Sequence, residues 1–166
     1  MWAAKKGLEA LKVDWNEGPN AKLSSADIWA DLRAASAKDG VVAKSEGDIA
    51  KATGDKFEAS FELPFLAHAT MEPLCAAVHF KGDSCEIWTG TQIMARVQSE
   101  AAKALGLPVE KVTVNNHLLG GGFGRKLEPD MVGAAVRIAK GVEGPGKVVW
   151  TREEDMLHGR YHPVTQ

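Results

Sequence analysis

A run of glycines around one phenylalanine constrains this chain more than any other feature of its sequence. Gly120, Gly121 and Gly122 precede Phe123 and Gly124, and the run lies between a predicted strand and a predicted helix. Glycine lets the backbone approach a ligand closely, and N–H groups at the start of a helix attract anions. A tight turn without a ligand is the alternative. The bulky phenylalanine, which a turn does not need, favours a pocket wall.

This glycine loop (residues 120–126) does not match the common nucleotide-binding fingerprints. A dinucleotide-binding Gly-x-Gly-x-x-Gly that starts at Gly120 needs glycine or alanine at position 125, where the chain has Arg125. A phosphate-binding loop needs glycine before its lysine and a hydroxyl residue after it, but Arg125 precedes Lys126 and Leu127 follows it. The mismatches exclude an ordinary NAD loop and an ordinary ATP loop.

Hydrophobic periodicity predicts an α+β fold, in which helices pack on a mixed β-sheet. Predicted strands lie at 74–80, 85–89, 109–119 and 147–151, and alternation of apolar and polar residues predicts another at 57–63. Predicted helices lie at 2–11, 92–105 and 129–140, and one more runs from a cap at Ser24 or Ser25 to about residue 37. Residues 13–15 are a further candidate strand, and 47–52 are a short helical piece.

The composition excludes several classes of protein. The 166 residues carry a formal net charge of −2 and are 25% charged, which does not fit a nucleic-acid binder that relies on basic charge. The longest apolar run falls far short of the roughly 20 residues of a membrane span. Cys75 and Cys85 are too few for a disulfide scaffold, and the five histidines share no metal-binding spacing, so no side-chain metal site is predicted.

A second candidate site feature is the sequence TGTQ at 89–92, where a predicted strand ends and a helix begins. Thr91 is a candidate helix cap, and Gln92 then projects from the start of the helix, close to the end of the strand. Loops at strand ends commonly form ligand sites. An ordinary capping turn is the alternative for this segment taken by itself.

Five sequence blocks follow one another between residues 65 and 156. They are FLAHATMEP at 65–73, IWTGTQ at 87–92, LGLP at 105–108, GGGFGRK at 120–126 and REEDM at 152–156. Together they resemble the molybdopterin-binding large subunit of the xanthine oxidase family, the molybdenum hydroxylases, and are most similar to its isoquinoline 1-oxidoreductase beta-subunit branch. The resemblance implies a molybdopterin-binding domain, with a helical and strand segment at 1–56 and a core α+β lobe at 57–166.

The resemblance implies an activity and a cofactor. Members of the family hydroxylate an electron-poor carbon of an aromatic N-heterocycle or oxidise an aldehyde; water supplies the oxygen, and the electrons leave through the pterin to iron–sulfur clusters. Molybdenum is held by the pterin dithiolene and not by side chains, and the pterin is expected as such or as its cytosine dinucleotide. The implied partners are the remainder of the large subunit, a [2Fe-2S] small subunit and cytochrome c as a candidate electron acceptor.

The resemblance also implies residue roles. Gln92 matches the family glutamine that hydrogen-bonds an oxygen ligand of molybdenum, and Phe123 is expected to flank the substrate ring; these two are the candidate catalytic residues. The candidate cofactor-binding residues are Gly121, Gly122, Phe123, Gly124 and Arg125. Arg125 and Lys126 are candidates for neutralising cofactor phosphates, with exposure on the surface as the alternative.

Two departures from the family pattern bear on the function. Purine-specific members carry a glutamate that contacts the purine, four positions after the phenylalanine, and here that position holds Leu127, with Glu128 next to it. Xanthine is therefore not expected as a substrate. The family's general base is a glutamate in a Gly-Glu motif of a later domain, and no such motif follows the glycine loop. Trp2 also follows Met1 without a helix cap, so a fragment is expected, inactive alone and without bound cofactor.

Other functions and other residues stay open at this stage. A non-catalytic module that binds a pterin or nucleotide, and a purely structural domain, are the alternatives, and the location is either cytoplasmic or periplasmic. His68 and Glu72 are predicted to fix a loop, and Cys75 and Cys85 to lie buried in strands. The charged run at 152–155 is expected to be a solvated turn.

Overall fold

Two helices precede three consecutive strands, and helices and strands then follow in turn, in the computed structural model, which describes residues 2–165. The α-helices are α1 (Trp2–Glu9), α2 (Ser25–Ser36), α3 (Met94–Leu105), α4 (Asp130–Ala139) and α5 (Arg152–His158). The strands are β1 (Leu66–Ala67), β2 (Cys75–Phe80), β3 (Cys85–Thr89), β4 (Val112–Asn116), β5 (Gly146–Val149) and β6 (Tyr161–His162). Short 3₁₀ helices cover Gly18–Asn20, Ile49–Lys51, Val109–Lys111 and Arg125–Leu127.

The central sheet has four strands in the order β4-β3-β2-β5. Strand β2 is antiparallel to both β3 and β5, whereas β3 and β4 are parallel. The hairpin between β2 and β3 is closed by the Lys81 N–H, which donates to the Ser84 carbonyl at 2.9 Å. The predicted α+β class with a mixed sheet is therefore confirmed.

The hydrophobic core lies between one face of this sheet and the two helices α3 and α4. Alternation along the strands places Ala76, Val78 and Ile87 on the covered face, where each is at most 1% exposed. Helix α3 contributes an apolar stripe at helical spacing, in which Val97 and Leu105 are buried. These two residues belong to the hydrophobic core that joins the helix to the sheet.

Several predicted boundaries shift by a few residues for local reasons. The predicted strand at 109–119 shortens to β4 because Val109–Lys111 forms a 3₁₀ turn after Pro108. Helix α3 begins at Met94 because Ile93 keeps an extended backbone, with φ −150°. It ends, as predicted, at Gly106, whose φ of 72° is a left-handed conformation that favours glycine.

Two predicted strands are wrong. Residues 57–62 are irregular, with Phe57 and Phe61 exposed, and only Leu63 forms an isolated bridge, to Thr165. Residues 13–15 are irregular as well. Alternation of apolar and polar residues yields a strand only where a neighbouring strand supplies hydrogen bonds, and no strand within the described residues pairs with either segment.

The chain divides into two units, Met1–Leu63 with Thr165–Gln166, and Pro64–Val164. The second unit contains every strand named above together with α3, α4 and α5. In the first unit, Ser24 caps α2 through a reciprocal pair of hydrogen bonds with Asp27. The division into 1–56 and 57–166 stays a prediction. No helix within residues 2–165 is long and apolar enough to cross a lipid bilayer.

Candidate functional site

The strand directions bring three loops to one edge of the central sheet. Because β2 is antiparallel to β3, the loop before β2 lies at the same edge as the turn after β3. Because β4 is parallel to β3, the loop after β4 lies there too. These segments are the Met-Glu-Pro loop (residues 70–73), the Thr-Gln turn (residues 90–93) and the glycine loop. Sequence blocks that are distant along the chain therefore share one surface.

Gln92 joins the Thr-Gln turn to the glycine loop through its side chain and its backbone. Its Oε1 accepts a hydrogen bond from the Gly124 N–H at 3.1 Å. Its own N–H donates to the Lys126 carbonyl at 3.1 Å. A methyl group on Gly122 would lie 2.4 Å from Gln92 Oε1, so only glycine fits there without a shift. The structure thus brings the first candidate catalytic residue onto the candidate cofactor-binding loop.

The bond to Gly124 fixes which way the Gln92 amide faces. A backbone N–H is a donor, so the side-chain atom opposite it is the carbonyl oxygen and not the NH₂ group. The Nε2 group then points elsewhere, and in the described part of the chain it meets no acceptor. Since the residue is exposed, two N–H donors remain available for a ligand at this edge.

The glycine loop presents further donors from its backbone. Gly121 and Gly124 have φ values of 96°, and Phe123 has φ 51°, so the loop turns repeatedly through left-handed conformations. Within residues 2–165, no acceptor binds the N–H groups of Gly121, Gly122 or Phe123. Consecutive N–H groups in such turns form concave sites for anionic or strongly polar groups.

Phe123 has a large aromatic side chain that is exposed to solvent. It is 70% exposed, and its ring packs over Gly121, where an added methyl group would lie 3.2 Å from the ring. Its left-handed backbone costs about 1–2 kcal/mol for a residue with a side chain. Ala69, just before the Met-Glu-Pro loop, has φ 43° as well. Such strain clusters at functional sites.

Arg125 and Lys126 are buried, so the alternative of surface exposure is wrong. The Arg125 guanidinium forms a bidentate pair with Asp130, at 2.9 and 2.8 Å, and lies over the Trp150 ring at 5.8 Å. Its Nε is a buried side-chain nitrogen without a partner in the described chain. Cofactor binding by Arg125 stays a prediction.

The Lys126 ammonium forms an ion pair with the Glu72 carboxylate, which also accepts from the Gly120 N–H at 2.9 Å. Partial burial by itself would raise the pKa of Glu72. The hydrogen bonds from Lys126 and Gly120 outweigh that effect, so the pKa of Glu72 lies below its usual value. The predicted role of Glu72 in fixing a loop agrees with these contacts.

His68 lies next to Gly124 of the glycine loop. Its Nδ1 is 3.0 Å from the Arg160 carbonyl, its ring centre is 4.0 Å from that of His162, and its Nε2 faces Gly124. Burial, and then the neighbouring charges of His162 and Arg125, lower the pKa of His68, while the Arg160 carbonyl opposes them. The lowered pKa favours the neutral ring, which suits a packing residue.

Two polar residues at this edge were not identified from the sequence. Asn116, at the end of β4, accepts from the Thr91 N–H at 2.9 Å. Arg152 donates to the Thr70 carbonyl and pairs with Asp155 at 2.9 Å. The prediction of a solvated turn at 152–155 is wrong, because this segment begins α5 and Asp155 is buried. The helix cap at Thr151 and the acidic first turn were the available signal.

Comparison with known proteins identifies the family. The family model described as the molybdopterin cofactor-binding domain matches residues 32–166. The chain belongs to this family. The resemblance to the molybdopterin-binding subunit of the xanthine oxidase family is therefore confirmed. The Thr-Gln turn and the glycine loop both lie within the matched range.

Relatives of this chain are named as subunits of oxidoreductases. It is 32% identical over 169 residues to isoquinoline 1-oxidoreductase subunit beta of Brevundimonas diminuta, covering 94% of this chain and 22% of the relative. It is 32% identical over 112 residues to the molybdenum-binding subunit of an aldehyde oxidoreductase of Escherichia coli, covering 66% of this chain and 15% of the relative. The chain thus spans less than a quarter of the length of these curated relatives.

A solved structure has the same fold. The crystal structure of quinoline 2-oxidoreductase from Pseudomonas putida 86 superposes with a TM-score of 0.56 at 22% identity. The match covers 62% of this chain and 14% of that one. At this identity the similarity establishes the fold of the chain alone.

Proposed function

We propose that this chain forms one wall of the active site of a molybdenum hydroxylase. The whole protein hydroxylates N-heterocycles or oxidises aldehydes, with water as the oxygen source, and this portion is inactive alone. The hydrogen bond between Gln92 and Gly124 carries the proposal, because it places the candidate catalytic amide on the candidate cofactor-binding loop. The names of the relatives, an isoquinoline oxidoreductase and an aldehyde oxidoreductase, support the reaction class.

The residues at this edge fit a cofactor that is rich in polar oxygen atoms. The donor set consists of the Gln92 Nε2 group and the N–H groups of Gly121, Gly122 and Phe123. These donors are neutral, so they bind polar atoms without adding charge. When bound, molybdopterin supplies the molybdenum through its dithiolene and accepts the electrons of the reaction. No group of three metal-ligating side chains occurs within residues 2–165, so such a metal would depend on the pterin.

Gln92 and Phe123 have separate roles in the proposed reaction. Gln92 donates a hydrogen bond where negative charge develops, from an amide that Gly124 already holds in place. Phe123 offers its exposed ring as a stacking wall for a planar substrate. Leu127 stands at the position where purine-specific members have a glutamate, so we propose a substrate other than xanthine.

Cofactor form and partners belong to the same proposal. The pterin is molybdopterin as such or its cytosine dinucleotide. The partners are the remaining polypeptide of the large subunit, a [2Fe-2S] subunit and cytochrome c as electron acceptor. The relatives support a multi-subunit enzyme, because their names describe them as subunits. Arg125 belongs to the proposed cofactor-binding residues through its place in the glycine loop.

The test uses the full-length protein that carries this chain, purified with its partner subunit. Gln92→Ala and Phe123→Ala are compared with Leu118→Ala, a fully exposed control near the glycine loop. We expect Gln92→Ala to lower kcat about 100-fold or more, as for loss of one transition-state donor, while molybdenum and pterin contents stay unchanged. Phe123→Ala lowers turnover and raises KM. Wild-type turnover in both variants would overturn the assignment.

A further inference from the structure

Lys126 is a charged residue at a buried position, where an apolar side chain would have a smaller desolvation cost. Its side chain is only 3% exposed, and its ammonium group pairs with Glu72. Removing an ammonium group from water costs several kcal/mol, and buried ion pairs commonly contribute little net stability. A charge kept at this position therefore points to a role in geometry.

Glu72 holds both ends of the glycine loop. Its carboxylate accepts from the Gly120 N–H at 2.9 Å and from the Lys126 ammonium. Its backbone N–H donates in turn to the Gly120 carbonyl at 3.1 Å. The first and the last residue of the loop are thus tied to one residue of the Met-Glu-Pro loop.

Lys126 extends this connection to the Thr-Gln turn. Its carbonyl accepts from the Gln92 N–H at 3.1 Å and from the Thr91 hydroxyl at 3.0 Å. Because Gln92 then binds the Gly124 N–H, the contacts close a ring from Glu72 through Lys126 and Gln92 back to the glycine loop. The Gln92 amide is thus connected to Glu72 through an unbroken series of polar contacts.

The packing around this ring leaves little freedom. A methyl group on Gly120 would lie 2.6 Å from the Glu72 side chain. A methyl group on Gly90 would lie 3.4 Å from the Glu72 carboxylate and 3.1 Å from Leu119. Neither position therefore has room for a side chain, so the backbone of Gly120 and Gly90 packs directly against Glu72, and close packing of this kind transmits strain.

We propose that the Glu72–Lys126 pair is the positioning element of this site, which sets the Gln92 amide against the glycine loop before any ligand binds. Both are positioning residues and neither is catalytic, because they act through Gln92 and the loop. This inference rests on the proposed function for its effect on turnover. Its effect on the loop itself can be measured independently of that function.

The experiment compares three variants in the full-length protein with its partner subunit. Glu72→Gln and Lys126→Met each remove one charge of the pair. Glu100→Gln is the matched control, because Glu100 pairs with Arg137 at 3.4 Å between α3 and α4. Hydrogen–deuterium exchange is followed over residues 118–127, which include the bonded N–H groups of Gly120 and Gly124, and turnover is measured on the same samples.

We expect exchange over 118–127 to rise about tenfold or more in Glu72→Gln and Lys126→Met, and to stay unchanged in Glu100→Gln. Turnover falls about tenfold or more through kcat, with a smaller change in KM, since misplaced catalytic groups affect the reaction more than binding. Lys126→Arg keeps the charge and should show exchange closer to wild type than Lys126→Met. The double variant Glu72→Gln/Lys126→Met should be no worse than either single variant.

Two results separate this inference from the proposed function. Wild-type exchange over 118–127 in Glu72→Gln and Lys126→Met overturns the positioning role, whatever happens to turnover. If Glu72→Gln does not fold, equal exchange in Lys126→Arg and Lys126→Met overturns it as well. Faster exchange in Glu72→Gln and Lys126→Met supports the positioning role. If turnover in Gln92→Ala is nevertheless that of the wild type, the positioning role stands and the proposed function is overturned.

Discussion

The side-chain oxygen of Gln92 lies 3.1 Å from the backbone nitrogen of Gly124, across an interval of 32 residues. This single contact joins two loops that follow different strands of the central sheet. It engages the carbonyl oxygen of the amide and leaves the two N–H donors of the amide free. The contact therefore converts an exposed glutamine into an oriented donor without help from a ligand.

Gly122→Ala should break this contact. The added methyl group would lie 2.4 Å from Gln92 Oε1 and 3.1 Å from Leu119, so the amide must move. We expect turnover of the full-length protein to fall about tenfold or more and stability to fall by about 1–3 kcal/mol. Gly146→Ala, where nothing lies within 4 Å, is the control. Steady-state kinetics measure the turnover and thermal unfolding measures the stability. Wild-type kinetics in Gly122→Ala would contradict the prediction.

The Glu72 carboxylate should make stability depend on acid pH. Its folded pKa lies below its usual value of 4.5, so its contribution is present above that pH and is lost as pH falls through the folded pKa. The difference in unfolding free energy between wild type and Glu72→Gln should be largest above about pH 5 and shrink below about pH 4. Glu58→Gln, at an exposed side chain, serves as control. Denaturant titrations at several pH values test this, and a constant difference would refute it.

Ala69 should tolerate glycine better than alanine. Its φ of 43° lies in the left-handed region, where a Cβ atom costs about 1–2 kcal/mol. Ala69→Gly is therefore expected to raise the unfolding free energy by up to about 1 kcal/mol. Ala77→Gly, in the middle of strand β2, should lower it by about 0.5–1 kcal/mol. Equilibrium unfolding of both variants measures the two free energies. A lower unfolding free energy in Ala69→Gly would show that relief of backbone strain at this position does not stabilise the protein.

The two cysteines should differ in reactivity. Burial, assisted by the nearby Glu86 charge, raises the pKa of Cys85 to about 11. Cys75 is only partly buried. Because the thiolate is the reactive form, iodoacetamide at pH 8 is expected to modify Cys75 before Cys85 in the folded protein, and both at similar rates after denaturation. Peptide mass spectrometry measures the two rates; equal labelling of the folded protein would contradict the burial of Cys85.

Local sequence pattern was sufficient to predict most of the secondary-structure elements and the family. The alternation in β2 and β3 and the apolar stripe of α3 are repeated along the chain itself, so the sequence predicts them. The same reasoning fails at 57–63, because a strand also needs a neighbour, and alternation does not say whether one is present. The motifs around Gln92 and Phe123 could be identified for the same reason as the helices: each is continuous in sequence.

The arrangement of the site was decided by tertiary structure. From the sequence alone, Lys126 is either an exposed cation or a phosphate ligand. Its partner Glu72 is 54 positions away, and only the order of the strands in the sheet brings the two together. The antiparallel pairing of β2 with β3 and the parallel pairing of β3 with β4 put their loops at one edge. The sequence by itself determined which residues could serve chemistry and which short elements carry them. Only the fold decided which of them meet, because hydrogen-bond and ion-pair partners are chosen by proximity in space and not along the chain.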